Sequence, residues 1–371
     1  MMIGKTATGD QAHRYNRCLV VPFEGKRKVM STAMENGGYQ ENLTAIFNRD
    51  VNPGPGKPCL YCQPGQEEEI KRFINEELGL NSETVAYMAT IVSMDSAVMK
   101  SETYDELTVS AISTASLEVN GGRVGEKATS YEKNGQSVSL RPGTINIMVF
   151  VSGNMTPGCM ARAMVTATEA KTAACQELLA GSLNSSGIAT GSGTDNVMII
   201  SNSESENTLT YAGKHGKLGE LIGRLVMSTV TESLAKHMGL TQKSQHSILA
   251  RLKRYGINES TYADKYGELT VDDKKSMPDF INVIHTWDCQ DELVTLTSLY
   301  VHLLDQLSWG LLTIEEVSIA GKAVLNNLSN QIETDLEWQA VDAINKDACI
   351  KVMLDSFVTT TAMAAVTNEI N

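Results

Sequence analysis

The chain has 371 residues, 42% of them apolar and 20% charged, values that suit a globular protein of about two domains and exclude disorder, collagen and coiled coil. With 31 basic against 44 acidic residues the formal net charge is −13, and the short runs Lys26-Arg27-Lys28 and Lys253-Arg254 lack interleaved aromatics. A nucleic-acid backbone is therefore excluded as the main partner. No run reaches the roughly 18 apolar residues of a membrane span, and seven scattered cysteines suit free thiols in a reducing cytoplasm.

In chain order, the polar first 17 residues lack the apolar stretch of a signal peptide. Short β-branched runs then predict strands over Cys18–Phe23, Val85–Val92, Leu107–Thr114, Ile145–Val151 and Val197–Ser201. The proline-rich stretch 52–58 reads as a loop, because proline denies ladder donors and fixes φ. The stretch Tyr131–Pro142 is a second turn-rich separator. Thr156-Pro157 predicts a helix start, with a hydroxyl N-cap and proline at the first helical position. That helix runs to about Gly181 and is rich in alanine, which lets it lie close to a sheet. A second helix is expected from Lys217 to His237.

Composition changes near residue 240. Of 29 glycines, 25 lie before it, whereas all three tryptophans lie after it; residues 240–371 carry −9 of the net charge. The expected architecture is α+β: a mixed or antiparallel sheet packed with helices over residues 1–239, then a mostly α-helical domain over 240–371. Helices are expected there at about 243–255, 278–307, 313–331 and 333–364.

Most isolated motifs have an ordinary explanation. Gly4-Lys5-Thr6 lacks the upstream glycine and strand of a phosphate loop. Cys59-Leu-Tyr-Cys62 has metal or redox spacing, but no second ligand pair accompanies it and it lies in a proline-rich loop. No HExxH occurs, so a catalytic zinc is not indicated. The glycines of Gly187–Asp195 precede a predicted strand, whereas dinucleotide loops follow one. They serve either as a tight connection or as a loop whose backbone N–H groups, with Thr194 and Asp195, face a substrate. His215 sits between Lys214 and Lys217, just before a helix N-terminus. Arg162 and Glu169 share one face of the alanine-rich helix, where Lys171 is also placed.

Taken together, Gly143-Thr-Ile-Asn-Ile147, Ala167-Thr-Glu-Ala-Lys-Thr-Ala173, Ala189-Thr-Gly-Ser-Gly-Thr-Asp195 and Tyr211-Ala-Gly-Lys-His-Gly-Lys-Leu-Gly-Glu220 closely resemble the adenosylcobinamide amidohydrolase family of corrinoid salvage. Leu107–Ala111 and Asn36-Gly-Gly38 fit as well. The resemblance covers about residues 15–237. Ser192 stands where the family usually has threonine, and the surroundings of His215 vary.

The resemblance implies hydrolysis of one amide: adenosylcobinamide loses aminopropanol and becomes adenosylcobyric acid. The corrin is then a substrate, no resident cofactor is expected, and no metal-ligating residue is singled out. Amide hydrolysis needs a nucleophile, donors for the oxyanion and a proton for the leaving amine. Glu169 or Asp195 could activate water or orient the group that does. Backbone N–H groups over Gly191, Ser192, Gly193 and Thr194 could hold the oxyanion, and His215 could protonate the leaving nitrogen. Asn146 and Lys171 are further substrate-binding candidates.

A covalent route is the alternative. Gly143-Thr144 before an apolar strand is similar to the cleavage point of self-processing hydrolases of the DmpA aminopeptidase type, where a freed Ser or Thr is the nucleophile. Two other readings compete with the enzyme: a non-catalytic corrinoid-binding protein, and a bifunctional chain with phosphatase chemistry around His285, Asp288, Asp291 and Glu292. The helical part otherwise suits partner binding or homo-oligomerisation.

Overall fold

Alternating and fully buried strands dominate the first two thirds of the computed structural model, and helices dominate the rest. The structure describes residues 1–54, 66–128, 131, 143–270, 274–339 and 345–367. Cys59, Cys62 and nearly all of the Tyr131–Pro142 stretch lie outside them. The chain forms two compact units, Met1–Thr241 and Gln242–Asn371.

In the first unit the strands are β1 (Met2–Lys5), β2 (Gln11–Tyr15), β3 (Cys18–Pro22), β4 (Arg27–Ser31), β5 (Gly38–Gln40), β6 (Ala45–Asp50), β7 (Val85–Thr90), β8 (Val98–Tyr104), β9 (Leu107–Ala115), β10 (Gly121–Gly122), β11 (Ile145–Val151), β12 (Asn154–Met155), β13 (Gly191–Ser192), β14 (Asn196–Asn202) and β15 (Thr208–Leu209). The helices are α1 (Gln66–Arg72), α2 (Pro157–Glu177) and α3 (Lys217–Met238). One sheet runs β1-β2-β3-β6-β7 and the other β5-β4-β14-β11-β9-β8. Both are mixed: β6 pairs with β7 and β11 with β14 in parallel, and their other pairings are antiparallel. The fold is α+β, as the sequence implies.

The two sheets face one another across a core of Leu19, Val21, Ile46, Met88, Met148, Phe150 and Ile200. The far side of the six-stranded sheet packs on α2 and α3 through Ile145, Ile147, Val149, Ala163, Ala167, Leu221 and Leu225. Strand β11 is buried on both faces, which is why its sequence reads as a continuous apolar run rather than an alternating one. The alanines of α2 bring that helix close to the sheet. Its start follows the sequence reading: the Thr156 hydroxyl accepts from the Cys159 N–H, with Pro157 next.

The sequence reading missed β1, β2, β4, β6 and β8. In Arg27–Ser31 the signal is period-two burial, hidden because the buried Arg27 side chain is paired with Asp10 at 2.9 Å instead of pointing to water.

The second unit holds α4 (Ile248–Leu252), α5 (Glu259–Glu268), α6 (Met277–Trp287), α7 (Asp291–Trp309), α8 (Ile314–Gln331) and α9 (Lys346–Thr367). Two expectations are corrected, and one helix is new. The helix expected over 278–307 breaks at 288–290, where the Asp288 carboxylate accepts from the Leu249 N–H and the Ser247 hydroxyl instead of continuing a helical face. The helix expected from 333 begins at Lys346, because Glu333 adopts a left-handed φ of 49°. The following backbone then hydrogen-bonds to α9, Glu337 N–H to the Thr360 hydroxyl and Gln339 N–H to the Ser356 hydroxyl. Helix α5 was not expected; an Asn258–Thr261 capping box starts it. Among the described residues, α9 alone is long and apolar enough to cross a bilayer, and 67% of its apolar window is buried inside the structure.

Candidate active site

Helix α2 gathers the segments that the sequence singles out. On its buried side Lys171 forms a close ion pair with Asp195. The same carboxylate accepts from the N–H groups of Ile145 (2.9 Å) and Ser192 (3.0 Å) and from the Ser192 hydroxyl (2.7 Å). Asp195 thus ties the glycine loop to α2 and to the first residue of β11. Gly191 must be glycine here, since a Cβ would collide with both the Asp195 carboxylate and the Lys171 ammonium.

Thr144 and Gly143 lie against this cluster. The Thr144 hydroxyl, 1% exposed, donates to the Thr194 carbonyl at 2.5 Å and lies 3.2 Å from Asn146 Oδ1. The Gly143 carbonyl oxygen lies 2.7 Å from the Ser192 hydroxyl and 2.8 Å from the Thr194 hydroxyl. Asn146 is buried between the sheets with every polar atom engaged. Its amide donates to Asn48 Oδ1 and the Ala89 carbonyl, and its oxygen accepts from Asn196. In this arrangement Asn146 joins the sheets rather than facing solvent. Asn48 was not expected from sequence; an asparagine inside an apolar strand is the signal that could have found it.

The backbone of the glycine loop is turned inward. Ser192 N–H goes to Asp195, Gly193 N–H to the Asn120 carbonyl and Thr194 N–H to the Ser192 hydroxyl. These three N–H groups are therefore committed, and the donors that already hold a carbonyl oxygen are the Ser192 and Thr194 hydroxyls.

The outer side of α2 differs. Glu169 is about half exposed and pairs with Lys214 at 3.6 Å and Arg162 at 4.0 Å. His215 is exposed on the loop before α3, and that loop is held to α2 by the Thr166 hydroxyl donating to the Ala212 carbonyl at 2.8 Å. Thr172 holds the glycine loop in the same way, donating to Thr190 at 3.0 Å. The outer face of α2 borders an open, shallow depression of about 480 Å³ along Met164, Val165, Thr168, Glu169, Thr172 and Gln176.

Cysteine chemistry is absent from this site. Cys175 lies on the buried face of α2, where burial and then the Asp195 charge push its thiol up to about 12; burial pushes Cys159 up to about 11. Neither is a thiolate near neutral pH. Among the described residues no cluster of three or more His, Cys, Asp or Glu could hold a metal ion.

In the helical unit the phosphatase candidates do not converge. His285 pairs with Glu259 at 3.1 Å, Asp291 with His246 at 3.0 Å, and Asp288 caps α4.

Helix α2 thus binds two glycine-rich loops, with a buried Lys–Asp pair on one side and an exposed carboxylate on the other. Residues 3–242 match the family model described as adenosylcobinamide amidohydrolase, and the chain belongs to that family. It is 32% identical over 231 residues to the uncharacterized protein MJ1613 of Methanocaldococcus jannaschii, covering 59% of this chain and 86% of that one. The crystal structure of the PH0078 protein from Pyrococcus horikoshii OT3 overlaps 63% of this chain and 81% of its own, at 10% identity and a TM-score of 0.30. A likeness that slight bears on neither fold nor function.

Proposed function

We propose that the first unit hydrolyses the amide joining aminopropanol to the corrin of adenosylcobinamide, giving adenosylcobyric acid and aminopropanol. One observation carries the reading beyond family membership. The segments of the resemblance converge on α2 through Thr166–Ala212, Glu169–Lys214, Lys171–Asp195 and Thr172–Thr190.

In this reading Glu169 is the general base for water, because it alone of the two acidic candidates is open to solvent. Its partners are surface cations that a substrate can displace. Asp195 has its acceptor positions filled and acts as a positioning residue. His215, on the neighbouring loop, gives the proton to the leaving amine. The depression beside Glu169 offers apolar Met164 and Val165 to a flat macrocycle, and Thr168, Thr172 and Gln176 to its fringe of amides. The Gly143 carbonyl, held by two hydroxyls, favours Thr144 as a second route to the same product.

The test incubates purified full-length protein with adenosylcobinamide and follows products by liquid chromatography and mass spectrometry. The expected result is adenosylcobyric acid plus aminopropanol, abolished in Glu169→Gln. Tight binding of the corrinoid with no turnover, with or without added metals, would replace the enzyme with a corrinoid-binding protein.

A further inference from the structure

The peptide bond between Gly143 and Thr144 is surrounded as a reacting bond rather than a structural one. Asn120 donates its amide to the Thr194 hydroxyl at 3.2 Å. The Thr194 proton is therefore directed to the Gly143 carbonyl oxygen, 2.8 Å away. Ser192 lies 2.7 Å from that oxygen and 2.7 Å from Asp195 Oδ1. Its single proton serves one of them at a time, and it moves to the carbonyl oxygen as that oxygen gains negative charge. Two hydroxyls on one carbonyl form an oxyanion site that is already occupied.

The attacking group is adjacent. The Thr144 hydroxyl has two acceptors beside it, the Thr194 carbonyl and Asn146 Oδ1, so the oxygen keeps its lone pairs for nucleophilic attack. Glycine at 143 lets the Asn120 and Val119 side chains lie close, because a Cβ there would come within 2.8 Å of Asn120 Oδ1 and 3.1 Å of Val119 Cβ. It also leaves the carbonyl carbon unshielded.

We infer that the chain cleaves itself between Gly143 and Thr144, with Thr144 as nucleophile and the Ser192 and Thr194 hydroxyls as oxyanion donors. Thr144 Oγ1 attacks the Gly143 carbonyl carbon through a five-membered ring. The C–N bond breaks and the hydroxyl proton ends on the departing nitrogen. The product is an ester from Gly143 to Thr144 Oγ1, with a free α-amine on Thr144. Water then adds to the ester; its hydroxyl stays on Gly143 as a carboxylic acid and its other proton restores the Thr144 hydroxyl. The new terminus carries hydroxyl and amine on one residue, the pairing in which an amine activates a threonine nucleophile. Use of that terminus in turnover rests on the amide-hydrolase reading above, whereas the cleavage does not.

Intact mass spectrometry of the purified full chain, fresh and after prolonged incubation, tests the inference. In proportion to 40.2 kDa for 371 residues, pieces of about 15 and 25 kDa are expected, the larger beginning at Thr144. Thr144→Ser should still cleave, and Thr144→Ala should stay whole with an unchanged circular dichroism spectrum. Ser192→Ala and Thr194→Val should each slow cleavage at least tenfold, and hydroxylamine should accelerate it by capturing the ester. A single 40.2 kDa species that never splits overturns the inference, as does a Thr144→Ala chain cut at the same bond. An uncut chain that still produces adenosylcobyric acid overturns self-cleavage and leaves the hydrolase standing. A cut chain without turnover supports self-cleavage and removes the hydrolase reading.

Discussion

Two ion pairs on α2 separate the supporting interior of the candidate site from its working surface. Lys171 and Asp195 are about a tenth exposed and lie among hydrogen bonds that fill the carboxylate. Glu169 and Lys214 are 43% and 63% exposed and touch at 3.6 Å. In a low-dielectric interior, losing one partner leaves an uncompensated charge, whereas water screens either partner at the surface. Chemically similar pairs two residues apart along one helix therefore have opposite uses. The buried one fixes loops, and the exposed one is held loosely by solvated partners.

The largest expected effect is on the exposed side. Glu169→Gln should lower turnover of adenosylcobinamide by about 10²–10⁴-fold, the usual loss for a general base, while unfolding free energy changes by less than about 0.5 kcal/mol. Steady-state kinetics beside urea titration checks both halves. Retained turnover would return the role of nucleophile or base to the Thr144 cluster.

Asp195→Asn should do the reverse to stability. It leaves the Lys171 ammonium buried without a counter-charge, at a cost of about 3–5 kcal/mol in unfolding free energy. The double variant Lys171→Met/Asp195→Leu removes both charges and should recover much of that loss. If both variants melt alike, the loss comes from the Ile145 and Ser192 hydrogen bonds and the buried charge is not the cause.

The contrast between the two pairs also explains what the sequence could and could not disclose. The apolar run of β11 and the Thr156-Pro157 start of α2 are local signals, and both elements appear where expected. Glu169, Asp195 and His215 were legible only as members of motifs in a fixed order. Nothing in their spacing says that one carboxylate is buried and the other open, because that depends on which face of α2 meets the sheet. Committed groups were equally invisible: the N–H groups of Ser192 and Gly193 read as free donors until the loop is folded onto Asp195 and Asn120. Strand β4 was missed because its buried arginine is neutralised by Asp10 from a distant turn. The break at 288–290 needs a carboxylate that serves another helix.

A smaller effect follows from two buried thiols, Cys175 in α2 and Cys18 in β3. Burial pushes Cys18 and Cys175 up to about 12 from an ordinary value near 9. The folded chain holds these protons when the unfolded chain has lost them. The stability they contribute is complete below pH 9 and falls as pH rises from 9 toward 12, by up to about 1.4 kcal/mol per pH unit for each thiol. Urea titrations at pH 8, 9 and 10 should give a shallower decline in Cys175→Ala than in the parent chain. Slopes are the quantity to compare, since removing the sulfur also opens a small cavity that lowers stability at every pH. Equal slopes would mean that the space beneath α2 admits water.

The smallest expected effect is the sharpest check on the comparison. Lys214→Ala removes the nearer of the two cations beside Glu169. A solvated pair of this kind contributes at most about 0.5 kcal/mol, and less in high salt. Its unfolding midpoint should therefore match the parent within error at both low and high ionic strength. Arg162, at 4.0 Å, remains beside Glu169, so the maximal rate should also survive. What can change is the substrate concentration needed, because Lys214 lies on the His215 loop beside the depression. A Lys214→Ala chain that loses stability as Asp195→Asn does would show that the outer pair is desolvated in solution. Glu169 would then be another loop anchor, and the base would have to be sought among the hydroxyls around Gly143.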